Sequence, residues 1–237
     1  CSWFSVLKPS TCRAPFLSIS DIREDAFYGC ANLTGELPEE LFVGISGIGR
    51  PRMFVYTFAD TDIQTIPDTL FAPLEPVLTD RMFMSTFVGC DKLTSIPALF
   101  DGFTTSAPHA FQSTFSDCTA LESIHENLFG IPDNPSDYMF AETFAGCTNI
   151  TEIPGNLFAQ LGNTPGTGVF QNTFAATGIT EVPAELFASI TTPSENLFNG
   201  TFESCENLTT VPKDLFQNIT SPAPSLFLGT FADTGLT

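Results

Sequence analysis

The chain has 237 residues, 43% of them hydrophobic, enough apolar material for one large core or two ordinary ones. Twenty-seven Asp and Glu against eight Lys and Arg give a net charge of −19, a balance that repels phosphate backbones and argues against a nucleic acid partner. No apolar run reaches the roughly 18 residues that a membrane span requires, and no basic start followed by an apolar stretch marks a secretory signal.

Residues 1–21 read as an N-terminal cap or a partial repeat. Cys1 is compatible with an acylated lipoprotein cysteine and equally with a trimmed start, and Cys1 and Cys12 are compatible either with a bond that caps this end or with two separate thiols. From residue 22 to 237 one phrase recurs. It first appears as "AFYGCANLTGELPEELF" at 26–42, and its F-x-x-T-F core then starts at Phe54, Phe83, Phe111, Phe140, Phe170, Phe198 and Phe227, in steps of 29, 28, 29, 30, 28 and 29 residues. Repetition at such a period predicts a solenoid in which each unit buries its apolar face against its neighbours.

Each unit is read as two short helices around a short strand. In the copy beginning at Thr192, a capping threonine, Pro193 and Glu195 mark a helix start. Leu197, Phe198, Thr201, Phe202 and Cys205 then fall at offsets 0, 1, 4, 5 and 8, a stripe on one helical face. Asn134 with Pro135 and Thr164 with Pro165 repeat that start. Next comes a very short strand that points Ile66, Ile96, Ile124, Ile153, Val182 and Val211 inward and is ended by proline at positions such as Pro67 and Pro212. A second short helix, as in Pro212 to Phe216, packs Leu and Phe inward. The expectation is an α/β solenoid of about eight coils of 28–31 residues, each with a strand in a parallel sheet and two short helices. The last copy, "FLGTFADTGLT", stops in the middle of a unit, which predicts further repeats or self-association at that end.

"AFYGCANLTGELPEELF" and "TFVGCDKLTSIP" resemble the A-F-x-x-C-x-x-L-x-x-I-x-x-P signature of BspA-like, TpLRR-type leucine-rich repeats, found in bacterial surface proteins and some mucosal protozoa. The resemblance spans roughly residues 22–237. It implies a curved leucine-rich-repeat solenoid with a parallel sheet on one face, exposed at the cell surface or secreted, with an adhesin-like role. The units here are longer than is usual in that family, and Thr replaces Ala before the second Phe in seven of the eight copies.

Cys30, Cys90, Cys118, Cys147 and Cys205 share one phase of the repeat and are expected to be reduced, buried packing groups. Helices of adjacent coils, about 8–10 Å apart, would hold them beyond disulfide reach. The in-phase threonines from Thr57 to Thr230 are expected to bond back to a carbonyl one turn earlier while their methyl groups pack. His109, placed in a linker, and His125 have no ligand partners in sequence, so no metal site is expected. No D-x-D-x-D-G calcium pattern occurs, and "GISGIG" at 44–49 is a linker insertion, not a nucleotide loop. No catalytic constellation, cofactor motif or enzyme activity is indicated. Five N-x-T sequons, at Asn32, Asn149, Asn199, Asn207 and Asn218, arise largely from the repetition itself.

The candidate ligand surface is the outward side of the sheet. Thr65, Ser95, Ser123, Glu152, Glu181 and Thr210, each just before an inward Ile or Val, should form a polar strip together with Glu122 and its neighbours. Variable linkers such as "DGFTTSAPHA" and "GIPDNPSDYM" offer a second candidate. The expected partner is a protein or glycan ligand. The alternative is a structural spacer or assembly subunit that stacks through uncapped ends.

Overall fold

The computed structural model describes residues 24–131 and 133–237; the N-terminal cap and the pair Cys1 and Cys12 lie outside the described residues. The chain winds in successive coils, each hydrogen-bonded in parallel to the next. The repeat architecture is therefore present, but the helices are not. The sole helical element among the described residues is a single 3-10 turn at Glu39–Phe42, so the expectation of two helices per coil, and with it the α/β class, is overturned.

What replaces the first helix is a ribbon of overlapping turns. In the second coil the N–H groups of Met53, Val55, Thr57 and Ala59 bond to the carbonyls of Arg50, Arg52, Phe54 and Tyr56, three residues back. The alternate N–H groups, of Arg52, Phe54, Tyr56, Phe58 and Asp60, bond instead to Asp80, Met82, Met84, Thr86 and Val88 of the next coil. Every second turn has its third residue at positive φ, as at Arg52 (62°), Tyr56 (54°) and Asp60 (54°), which is the type II signature. The ribbon therefore repeats every four residues. Over nine residues a four-residue period reproduces the offsets 0, 1, 4, 5 and 8 as well as a 3.6-residue helix does, which is why the apolar stripe reads as helical.

The expected helix starts are also used differently. The side-chain oxygen of Asn134 accepts from the backbone N–H of Thr164 in the next coil (2.9 Å), and Thr192 N–H bonds back to Asn163 (3.2 Å). The P-x-x-L-F segments likewise close as single turns, with Leu70, Leu157, Leu186 and Leu215 N–H bonded to Pro67, Pro154, Pro183 and Pro212.

The strands are short and unevenly developed. β1 (Thr34–Glu36) pairs in parallel with β2 (Asp62–Thr65), and β3 (Ser95–Ile96) with β4 (Ser123–Ile124). Beyond β4 this side of the described coils carries one isolated bridge, Glu181 with Thr210, so the expectation of a strand in every coil holds only in the first half.

Between these walls runs a phenylalanine core in three columns. Phe54, Phe83, Phe111, Phe140, Phe170, Phe198 and Phe227 stack face to face with centroids 5.3–6.1 Å apart. Phe27, Phe58, Phe87 and Phe115 begin a second column and Phe71, Phe100 and Phe129 belong to a third. Each such aromatic pair contributes about 0.5–1.5 kcal/mol beyond the area it buries. A buried polar spine accompanies them. Thr86 donates to Phe54 O (2.9 Å) as well as to Phe83 O in its own turn (2.8 Å), and Thr143 does the same with Phe111 and Phe140. The threonines thus bond across coils as well as one turn back.

Candidate functional site

On the sheet side, Thr65, Ser95, Glu122, Ser123, Glu152, Glu181 and Thr210 are all exposed. The strand register sets them in a row: Glu36 opposite Thr65, Ser95 opposite Ser123, and Glu181 opposite Thr210. Backbone bonds from Glu122 to Thr94 (2.9 Å), Thr180 to Thr151 (3.3 Å) and Thr209 to Thr180 (3.5 Å) carry the alignment along the solenoid. Ile63, Leu93, Leu121, Ile150 and Ile179 lie buried beneath it. The result is a flat strip of hydroxyls and carboxylates with no hydrophobic anchor.

Cys30, Cys90, Cys118, Cys147 and Cys205 are buried. Cys90, Cys118, Cys147 and Cys205 donate to Phe58, Phe87, Phe115 and Phe174 O of the preceding coil at 3.0–3.2 Å. Burial pushes the Cys90 thiol up to about 11, and burial together with the neighbouring Cys147 thiol raises Cys118 well above the ordinary range. The predicted helix spacing of about 8–10 Å does not apply, because the stacked rings of adjacent coils are under 6.5 Å apart. At Cys90, Cys118 and Cys205 burial holds the proton on the sulfur instead, and it is the thiolate that acts as nucleophile and metal ligand. No group of three or more His, Cys, Asp or Glu that could hold a metal ion occurs among the described residues.

His109 stands in the turn ribbon and not in a linker. It has positive φ (56°), stacks on Tyr138 at 5.3 Å, and places Nδ1 2.8 Å from Gln112 Oε1. His125 is exposed, and its Nδ1 accepts from Asn127 N–H (3.1 Å). Of the 44–49 segment, Gly47 pairs in parallel with Leu74. A cleft of about 340 Å³ opens among Phe71, Leu74, Leu99 and Phe103, with Asp68 as its charged member.

One surface escaped the sequence reading. Because the ribbon repeats every four residues, its left-handed positions form outward columns along the solenoid, among them Arg52, Arg81, His109 and Tyr138 in successive coils. All three tyrosines of the chain, Tyr28, Tyr56 and Tyr138, lie in this ribbon. The available signal was Gly, Asn, Asp and Ser at four-residue spacing, as in Ser85 and Gly89 or Asn196, Gly200 and Ser204, residues that tolerate positive φ.

No protein-family model matches the chain, and no curated protein matches it. Among solved structures, a leucine-rich repeat protein from Bacteroides ovatus is similar at 15% identity and a TM-score of 0.27, covering 92% of this chain and 69% of that one. A likeness of that degree leaves the reading to the geometry. No helix among the described residues is long and apolar enough to cross a membrane.

Proposed function

We propose that the chain is a non-enzymatic interaction module of the leucine-rich-repeat kind, close to the BspA-like repeats, that works at the cell surface or outside the cell and binds a protein or glycan ligand. The observation that supports this reading is the exposed strip: a constant buried frame holds Thr65, Ser95, Ser123, Glu152, Glu181 and Thr210 in one line while their chemistry varies. Such a face offers hydrogen bonds and negative charge without large rearrangement on binding. A basic protein patch fits it best, and adhesion is the role that the family resemblance suggests. The test is an array of host-type proteins and glycans probed with the intact chain and with a Glu122→Lys, Glu152→Lys, Glu181→Lys variant, both checked for monomeric state by light scattering. Specific binding lost in the variant is the expected result; binding that the variant keeps sinks the assignment to this face.

A second reading is a structural spacer or assembly subunit that stacks on further coils. Phe227 and Leu228 are 44% and 59% exposed, and a cleft of about 440 Å³ lies among Phe216, Phe227, Thr230 and Phe231. The N–H groups of Phe227, Gly229 and Phe231 occupy positions that bond across coils elsewhere and have no partner among the described residues. A further coil, of this chain's own continuation or of another copy, would pair with them. Concentration-dependent association that Phe227→Asp abolishes, with no ligand bound by the strip, would favour the spacer.

A further inference from the structure

We propose that the outward face of the turn ribbon in the first two described coils, centred on Tyr28 and Tyr56, binds a neutral saccharide chain. This face is separate from the sheet strip, and the inference does not depend on that reading.

Tyr28 and Tyr56 are 52% and 40% exposed, yet they touch, with ring centroids 6.1 Å apart and planes at 82°. Scattered exposed apolar residues need no explanation; two aromatic rings from adjacent coils set edge to face make a shaped platform. The Asp60 carboxylate acts on the Tyr28 phenol and raises it above its ordinary value, and Arg52, four residues before Tyr56 in the ribbon, holds Glu24 through two bonds of 2.8 and 2.9 Å. Tyrosine rings lose little conformational entropy on binding, an economy that tyrosine-rich binding surfaces exploit.

The polar surroundings select the ligand. Glu24, Asp25 and Asp60 outnumber Arg52 here, in a chain of net charge −19, which repels acidic sugars and phosphates. Arg52, fixed by its pair with Glu24, puts a positive charge beside this face and disfavours a second cation there. A neutral polyol meets neither objection. Its C–H faces lie against aromatic rings, while its hydroxyls, each a donor and an acceptor, match carboxylate oxygens and the remaining guanidinium N–H groups. The coils climb in steps of 5–6 Å, as measured between stacked rings, close to the length of one sugar residue in an extended chain. Two adjacent residues of a saccharide running along the solenoid would therefore meet Tyr56 and Tyr28 in turn, one from each coil.

The intact 237-residue chain is titrated calorimetrically with cellohexaose, maltohexaose, laminarihexaose, xylohexaose and mannohexaose up to millimolar concentration, beside Tyr28→Ala, Tyr56→Asn and the sheet-face variant Glu152→Lys. Asparagine at 56 keeps a residue that accepts positive φ, and circular dichroism and melting temperature check each fold. The expected result is saturable binding of at least one hexaose, weakened at least about tenfold by either tyrosine substitution and unchanged by Glu152→Lys. Failure of the intact chain to bind any of the five, or binding that survives both tyrosine substitutions, overturns the proposal. A mucin-type glycoprotein bound equally before and after enzymatic removal of its glycans, with no hexaose bound, would give the face to a protein partner and also overturn it.

Discussion

Phe111 and Phe227 occupy the same slot of the same repeated phrase, and their surroundings could hardly differ more. Phe111, in a middle coil, is fully buried between Phe83 and Phe140; Phe227, in the last coil, stacks on Phe198 alone and is 44% exposed. The hydroxyls of Thr143 and Thr57 form a similar pair. Thr143 donates to Phe111 O in the preceding coil and to Phe140 O in its own, whereas Thr57 is equally buried and finds no partner among the described residues. In a solenoid, burial and bonding are properties of the neighbouring coil, and the same residue type changes its energetic role with its place in the stack.

The contrast is sharpest for the phenylalanines. Phe111→Ala should lower stability by about 3–5 kcal/mol, the cost of a large cavity in a packed core, while Phe227→Ala should cost well under half as much. Urea unfolding of the two variants checks this, and equal losses would show that the last coil is covered in solution. A smaller effect is expected at the threonines. Thr143→Val removes one of the two donors at the Phe111 carbonyl, which keeps the Thr114 N–H, and should cost about 0.5–1.5 kcal/mol, whereas Thr57→Val should be neutral or slightly stabilising, because no bond is lost.

The last effect, the dependence on pH, is confined to alkaline solution. The Cys90 thiol is held at about 11 in the folded chain by burial, above its ordinary value of 9.0. The unfolded chain therefore releases the proton first, and stability that is fully present below pH about 9 falls as pH rises towards about 11, by roughly 1.4 kcal/mol per pH unit for this group. Cys90→Thr, which places at this position the residue found at Thr61, Thr177 and Thr234, should remove that slope while keeping the hydrogen bond to a Phe carbonyl. A melting temperature that declines equally in both proteins between pH 9 and 11 would assign the loss to other groups.

The unequal legibility of the sequence has the same origin. The inward positions could be read directly: Ile66, Ile96, Ile124, Ile153 and Val182 are buried, as are Phe58, Phe87, Phe115 and the in-phase cysteines. The exposed strip was also readable, because alternation about a short extended segment fixes which residue faces out. The turn ribbon was misread because a four-residue and a 3.6-residue period do not separate within nine residues. Gly146 and Gly200, which lie inside the predicted helices, were the contrary signal. Both are left-handed, and the Cβ that alanine would add meets the side-chain oxygen of Asp117 or Asn172 in the coil before, so glycine there serves the stack and not a helix. The Tyr28 and Tyr56 platform was invisible in sequence, because the two residues are 28 positions apart and occupy different slots of the phrase.

The sequence by itself determined the period, the number of coils and the identity of the inward residues, since each coil must bury the same apolar face whatever its backbone does. The tertiary structure alone decided the backbone that presents them. An isolated segment can satisfy its N–H groups only locally, but beside a neighbouring coil every second N–H finds a carbonyl across the gap, and the ribbon of turns replaces the helix.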